Sequence, residues 1–219
     1  MIRALLPAAV KRPLRRMHRS ANLRLALRAF RRLADRTRLP REVADRLHYG
    51  YGNEGWSASQ DFLIGLVAAA WETTGPIVEC GCGLSTLLLD HIAGRQGRTV
   101  ISLEHDPAWA AIMRKRVGPH VQVVAAPLQS YDGFDWYAPV SLPSGIGLVI
   151  CDGPPSATKG GRFGLLRRLR ALLAPDCRIL LDDCIRADER RILADWAHIT
   201  GGTATISADA RPYGTMVIS

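Results

Sequence analysis

The chain predicts an α/β fold, a mostly parallel sheet covered by helices on both faces and closed by an antiparallel pair of strands. Three observations carry this. From Pro76 onward, short apolar runs alternate with helical patterns, the signature of strands buried on both faces. The last two runs are separated only by the turn Arg211-Pro212-Tyr213-Gly214, so they must pair antiparallel. Finally, 219 residues with 47% hydrophobic and 22% charged side chains are globular values that exclude disordered, collagen-like and disulfide-framed chains.

The net charge of +9 divides unevenly. Residues 1–48 hold 14 of the 29 Lys and Arg but only three acids, a net of +11, whereas 49–219 carry a net of −2. The expected organisation is therefore a basic helical N-terminal arm, 1–48, and a main domain, 49–219. The arm reads as a piece around Ile2 to Val10, broken by Pro7 and Pro13, and a helix from about Ser20 to Thr37. In the second piece Leu23, Leu27, Phe30 and Leu33 form an apolar stripe at helical spacing. Such an arm is a solvated helix packed on the domain, or a contact for an anionic membrane or RNA.

Residues 49–56 read as a glycine-rich linker, and Ser57 to Gln60 as a capping box opening an apolar helix to Trp71. The strands follow at Ile77–Cys80, Thr99–Glu104, Val121–Ala125, Ile146–Cys151, Arg178–Leu181, Thr203–Ser207 and Thr215–Ser219. Helices are expected at Ser85–Ala93, through Met113, at Arg162–Leu173 and at Ala187–Ile199. No apolar run approaches the roughly 18 residues of a membrane span. Five cysteines without a secretory leader pattern read as reduced thiols. The expected location is cytoplasmic, with a membrane-peripheral arm as the variant.

Ligands of such sheets sit at the carboxyl ends of the strands. The first strand runs into Glu79-Cys80-Gly81-Cys82-Gly83-Leu84-Ser85-Thr86, where two glycines allow a tight turn and close backbone approach. A dinucleotide fingerprint would need a third glycine where Thr86 stands. The second strand ends in Glu104-His105-Asp106-Pro107: Glu104 suits ribose hydroxyls, and Asp106 before Pro107 suits a helix cap. Strands four and five end in Asp152 and in Asp182-Asp183, three carboxylates that repel one another unless protons or a hard cation intervene.

With these pieces in place, the chain resembles the class I S-adenosylmethionine (SAM)-dependent methyltransferases over residues 57–219, and most closely their metal-dependent, catechol O-methyltransferase-like branch. The resemblance implies a Rossmann-like seven-stranded sheet of order 3-2-1-4-5-7-6, its last strand antiparallel. It also implies SAM as cofactor, held by Glu79, Gly81, Gly83, Ser85, Glu104 and, beside the adenine, Gln129. Asp152, Asp182 and Asp183 fall on the positions that hold Mg²⁺ or another divalent cation, with Asp183 in place of an Asn. The branch's lysine three residues after the strand-four acid is Pro155 here, which leaves Lys159 or His105, alongside Asp152, as candidate catalytic groups. The function so read is methyl transfer to an oxygen of a small-molecule acceptor, with room for metal assistance. An RNA methyltransferase using the arm, and a nicotinamide-dependent oxidoreductase on a similar sheet, are the alternatives.

Overall fold

The computed structural model describes residues 8–53 and 56–218. Its main sheet has seven strands: β1 (Ile77–Cys80), β2 (Val100–Glu104), β3 (Val121–Ala125), β6 (Ile146–Cys151), β7 (Leu173–Leu181), β8 (Thr203–Ile206) and β9 (Gly214–Val217), in the order β3-β2-β1-β6-β7-β9-β8. Counted within this sheet alone, that is the expected 3-2-1-4-5-7-6. The β1, β2, β3, β6 and β7 pairings are parallel, while β9 runs antiparallel to both β7 and β8. Every residue of β1, β2 and β6 is buried, because helices cover both faces. A small hairpin, β4 (Leu128–Ser130) with β5 (Asp135–Tyr137), lies outside this sheet and was not foreseen.

The helices are α1 (Ala8–Arg31), α2 (Arg41–Tyr51), α3 (Gln60–Glu72), α4 (Leu84–Gln96), α5 (Pro107–Arg114), α6 (Gly164–Leu169) and α7 (Ala187–Thr200). Two cores result, one on each face of the sheet. The first joins α1 to α5 through residues such as Phe30, Leu47, Phe62, Leu88 and Met113; the second joins α6, α7 and the hairpin through Trp136, Leu165 and Trp196.

The arm differs most from expectation. The piece around Ile2–Val10 lies largely outside the described residues, and Pro13 does not end a helix. It sits inside α1, exposed, and gives up one backbone hydrogen bond there. At the other end α1 stops at Arg31, six residues before Thr37. The Asp35 carboxylate accepts from the Thr37 amide at 3.0 Å and from its hydroxyl at 2.7 Å, a side-chain turn that competes with helix. The apolar stripe is used internally: Phe30 is buried, and Leu23, Leu27 and Leu33 pack against the first core.

The stretch read as a linker is helical through Tyr51, so position 48/49 falls inside α2. Gly50 explains both the misreading and the packing. A Cβ on it would lie 2.5 Å from the Leu23 backbone nitrogen, so glycine here lets α2 cross α1 backbone to backbone. Gly52, at φ +76°, then closes the helix in the left-handed conformation. The capping of α3 also shifts by two residues: Ser59, not Ser57, accepts from the Phe62 amide at 3.1 Å.

Candidate active site

The carboxyl ends of β1, β2 and β6 open onto one cleft of about 320 Å³, within the range of roughly 300–1,000 Å³ common to ligand sites. Its floor is the turn between β1 and α4. Gly81 has φ +85°, and a Cβ on it would lie 3.1 Å from the Gly153 nitrogen; one on Gly153 would lie 3.1 Å from Gly81 and 2.5 Å from the Tyr137 hydroxyl. Glycine at both positions lets the strand ends of β1 and β6 touch and leaves their backbone facing the cleft.

Glu79 lies beneath this turn, fully buried. Thr86 ties it to the start of α4: its hydroxyl accepts from the Gly83 amide at 2.8 Å and donates to Glu79 Oε2 at 2.8 Å. The Ser102 hydroxyl donates to the same oxygen. Oε1 has no hydrogen-bond partner among the described residues. Burial pushes the Glu79 carboxyl up to about 7, against the Ser102, Ser85 and Thr86 hydroxyls that favour its ionised form.

Glu104 stands at the end of β2 with both oxygens held. Oε2 accepts from the Cys82 amide at 3.2 Å and from its thiol at 3.4 Å. Oε1 accepts from the Asp106 amide at 2.9 Å and lies 2.9 Å from His105 Nδ1. Asp106 caps α5 as expected, accepting from the Ala108 and Trp109 amides at 2.8 and 3.2 Å. The carboxylate is thus aimed at the cleft by its own neighbours.

Of the residues singled out in the sequence, the cleft brings together Gly81, Gly83, Ser85, Glu104, His105 and Asp152. Glu79 lies under it rather than in it. Gln129 is exposed on β4 and Lys159 is exposed in the loop before α6; neither lines the cleft. Sequence reasoning missed Trp109, whose indole donates to the Cys82 carbonyl at 2.8 Å, and Tyr51 and Trp56, which reach the cleft from the N-terminal side. Trp109 was findable as the first aromatic of the helix capped by Asp106. Tyr51 was hidden by its assignment to a linker.

The three strand-end acids do meet, each offering an oxygen within 4.8 Å of the others. They meet around an unforeseen cation. Arg162, 2% exposed, donates to the Asp182 carbonyl at 2.6 Å and to the Asp152 carbonyl at 2.7 Å, and its Nη2 lies 3.1 Å from Asp183 Oδ2 and 3.5 Å from Asp152 Oδ1. Arg186 and Arg211 reach Asp183 at 2.9 and 3.6 Å. Asp183 itself has φ +61°, which turns its side chain toward these arginines. Burial, with Asp152 and Asp183 nearby, pushes the Asp182 carboxyl up to about 8. Burial also raises Asp152, Arg162 opposing and Asp183 assisting. The oxygen donors are of the right kind for a hard divalent ion, but three guanidiniums already balance three carboxylates, and Asp183 is fully engaged. The cluster does not fit the expected three-acid metal site.

The four cysteines near the strand ends, Cys80, Cys82, Cys151 and Cys184, are buried free thiols, with burial raising Cys82 and Cys184. They behave as small apolar groups.

This sheet order, with its glycine turn after β1, an acid closing β2 and an antiparallel β9 inserted beside β7, is that of the Rossmann-like methyltransferase fold. Residues 78–184 match the family described as a methyltransferase domain. Among solved structures, the SAH-bound Podospora anserina methyltransferase PaMTH1 superposes with a TM-score of 0.58 at 15% identity, covering 99% of each chain. The C-terminal domain of precorrin-6Y C5,15-methyltransferase from Rhodobacter capsulatus superposes with a TM-score of 0.54 at 16% identity, over 77% of this chain and 93% of that one. No curated protein sequence matches the chain. No helix among the described residues is long and apolar enough to cross a membrane.

Proposed function

We propose that the protein moves the methyl group of SAM to an oxygen of a small-molecule acceptor bound on the Asp152 side of the cleft. The observation that carries this reading is one cleft holding both a ribose-type carboxylate, Glu104, and a carboxylate with a raised pKa, Asp152. SAM, when bound, supplies an electrophilic methyl on a sulfonium. The residues present suit it. The Gly81 and Gly83 backbone leaves space that side chains would fill, and the unpartnered Glu79 Oε1 beneath them is an acceptor waiting for a donor such as the cofactor's ammonium or a bridging water. Glu104 accepts from ribose hydroxyls in place of its weak thiol contact and His105. Gln129 has no part in this arrangement, and Thr86, bound to Glu79, replaces the glycine a nicotinamide site would need.

Methylation of an acceptor hydroxyl forms an O–C bond, breaks the S–C bond and releases the hydroxyl proton. Asp152 takes that proton, its raised pKa bringing it toward the range a general base needs at neutral pH. Most of the remaining acceleration comes from holding the two reactants in line. His105 is bound to Glu104 and Lys159 is remote, so neither is assigned the base. No step is derived through a metal ion.

Calorimetry with SAM, SAH and NAD on the purified protein tests the reading. SAM and SAH should bind, and Glu104→Ala should weaken both by about 1.5–3 kcal/mol, the contribution of a hydrogen bond to a charged acceptor. Tight NAD binding without SAM binding would overturn it.

A further inference from the structure

One stripe of helix α1 changes chemistry halfway along the helix. From Leu23 to Phe30 it is apolar and packs in the core. One helical repeat earlier the same stripe carries Arg12, Arg16 and Arg19, overhanging a groove of about 820 Å³ whose lining also includes Arg15, Arg31 and Arg116. Arg12, Arg15, Arg16, Arg31 and Arg116 are exposed and Arg19 is half-buried, yet all six line this one concavity. Among the described residues the lining holds one carboxylate, Asp90, which accepts from the Gly118 amide at 3.0 Å. Arg12, Arg15, Arg16, Arg31 and Arg116 form no ion pair with a described residue. So many like charges around one concavity repel one another until an anion enters. The groove meets the active-site cleft at Tyr51, which lines both.

From this arrangement we infer that the groove is a phosphate site for the methyl acceptor: the acceptor carries one or more phosphates that lie along α1, while its reacting oxygen passes Tyr51 into the cleft. The inference rests on the methyl-transfer reading above and adds the acceptor's class. Guanidinium forks recognise phosphate oxygens two at a time. The row from Arg12 to Arg31 spans about 28 Å of helix, long enough for a chain of phosphates. The apolar stripe that would insert into lipid is already packed against the core. Phosphates of a small molecule and of a nucleic-acid strand share this chemistry.

Titrations of the full chain with tripolyphosphate, a single-stranded oligonucleotide and phosphatidylserine vesicles, each alongside SAM, test the inference. Tripolyphosphate should bind, and the double variant Arg12→Gln/Arg16→Gln should bind it about tenfold or more weakly, with unchanged SAM affinity. Arg28→Gln removes a charge from the same helix outside the groove and should change phosphate binding less than about twofold. Oligonucleotide binding that is far tighter than tripolyphosphate binding, and equally lost in the double variant, would identify the phosphates as a nucleic-acid backbone. Equal losses in Arg28→Gln and the double variant, absence of phosphate binding, or vesicle binding alone would overturn the inference. SAM binding without phosphate binding defeats only the groove; phosphate binding without SAM binding defeats the methyl-transfer reading and leaves the groove as an anion site.

Discussion

Arg162 lies at 2% exposure between strand-end carboxylates, where its guanidinium supplies the positive charge that a divalent ion would otherwise bring. We therefore expect SAM binding and turnover to survive EDTA unchanged. Arg162→Gln should destabilise the fold by about 3–5 kcal/mol, because it leaves buried carboxylates uncompensated, and Mn²⁺ should recover part of that loss in thermal melts. Wild-type activity lost in chelator and restored by Mg²⁺ would show that an ion displaces the arginine. Glu79 carries a second prediction. Its pKa in the folded state, about 7, lies above its ordinary 4.5, so the native protein holds the extra proton between those values. Its contribution is full below about pH 4.5 and declines as pH rises through 7, by about 3 kcal/mol in all. Urea unfolding of Glu79→Gln between pH 5 and 8 should lack that component; a parallel decline in both proteins would contradict it. At this scale the sequence told much about Glu104 and Asp106, because a strand end and a Pro after a cap are local patterns. It could not reveal Arg162, because only the folded chain brings the loop after Asp152 back against Asp183.

Helices and strands were legible wherever periodicity and punctuation agreed. The β1, β3 and β6 bounds are as read, and α4 and α7 differ only at their ends. Helix α2 was not, although Val43, Ala44 and Leu47 recur at helical spacing and are buried, because Gly50 and Gly52 suggested a flexible segment. Gly50 instead permits the close crossing with α1. Gly50→Ala should destabilise by about 1–3 kcal/mol, since its Cβ would strike the Leu23 backbone, which cannot move aside as a side-chain tip would. A shift of the urea midpoint checks this, and an unchanged midpoint would mean the two helices can separate at little cost. The β4–β5 hairpin was missed for a different reason. Its strands have three residues each, too few to display an alternation, and it carried Gln129 away from the cleft.

Over the whole molecule, the charge split was visible in the sequence, but its independence from the fold was not. The basic segment contributes Ala26, Phe30, Leu39 and Leu47 to the first core, so the surface it offers is inseparable from the domain it covers. Removing residues 1–31 should lower unfolding free energy by about 3 kcal/mol or more, through the lost burial of Phe30 and its neighbours. SAM affinity of the folded fraction should persist, because no α1 residue lines the cleft. Denaturant titration and calorimetry on the truncated protein check the two parts separately.

Strand β9 enters the sheet between β7 and β8, and among the described residues it is the one strand through which β8 joins the sheet. The order of assembly therefore differs from the order of synthesis. Residues 203–206 leave the ribosome before 214–217, and the earlier strand has its sheet partner only once the later one has been made. The hairpin joins the sheet through the non-local pairing of Arg178–Leu181 with Gly214–Val217, a kind of contact that slows folding. Amide exchange should show it as one cooperative unit, with the β8 and β9 amides opening together and before those of β1 and β6.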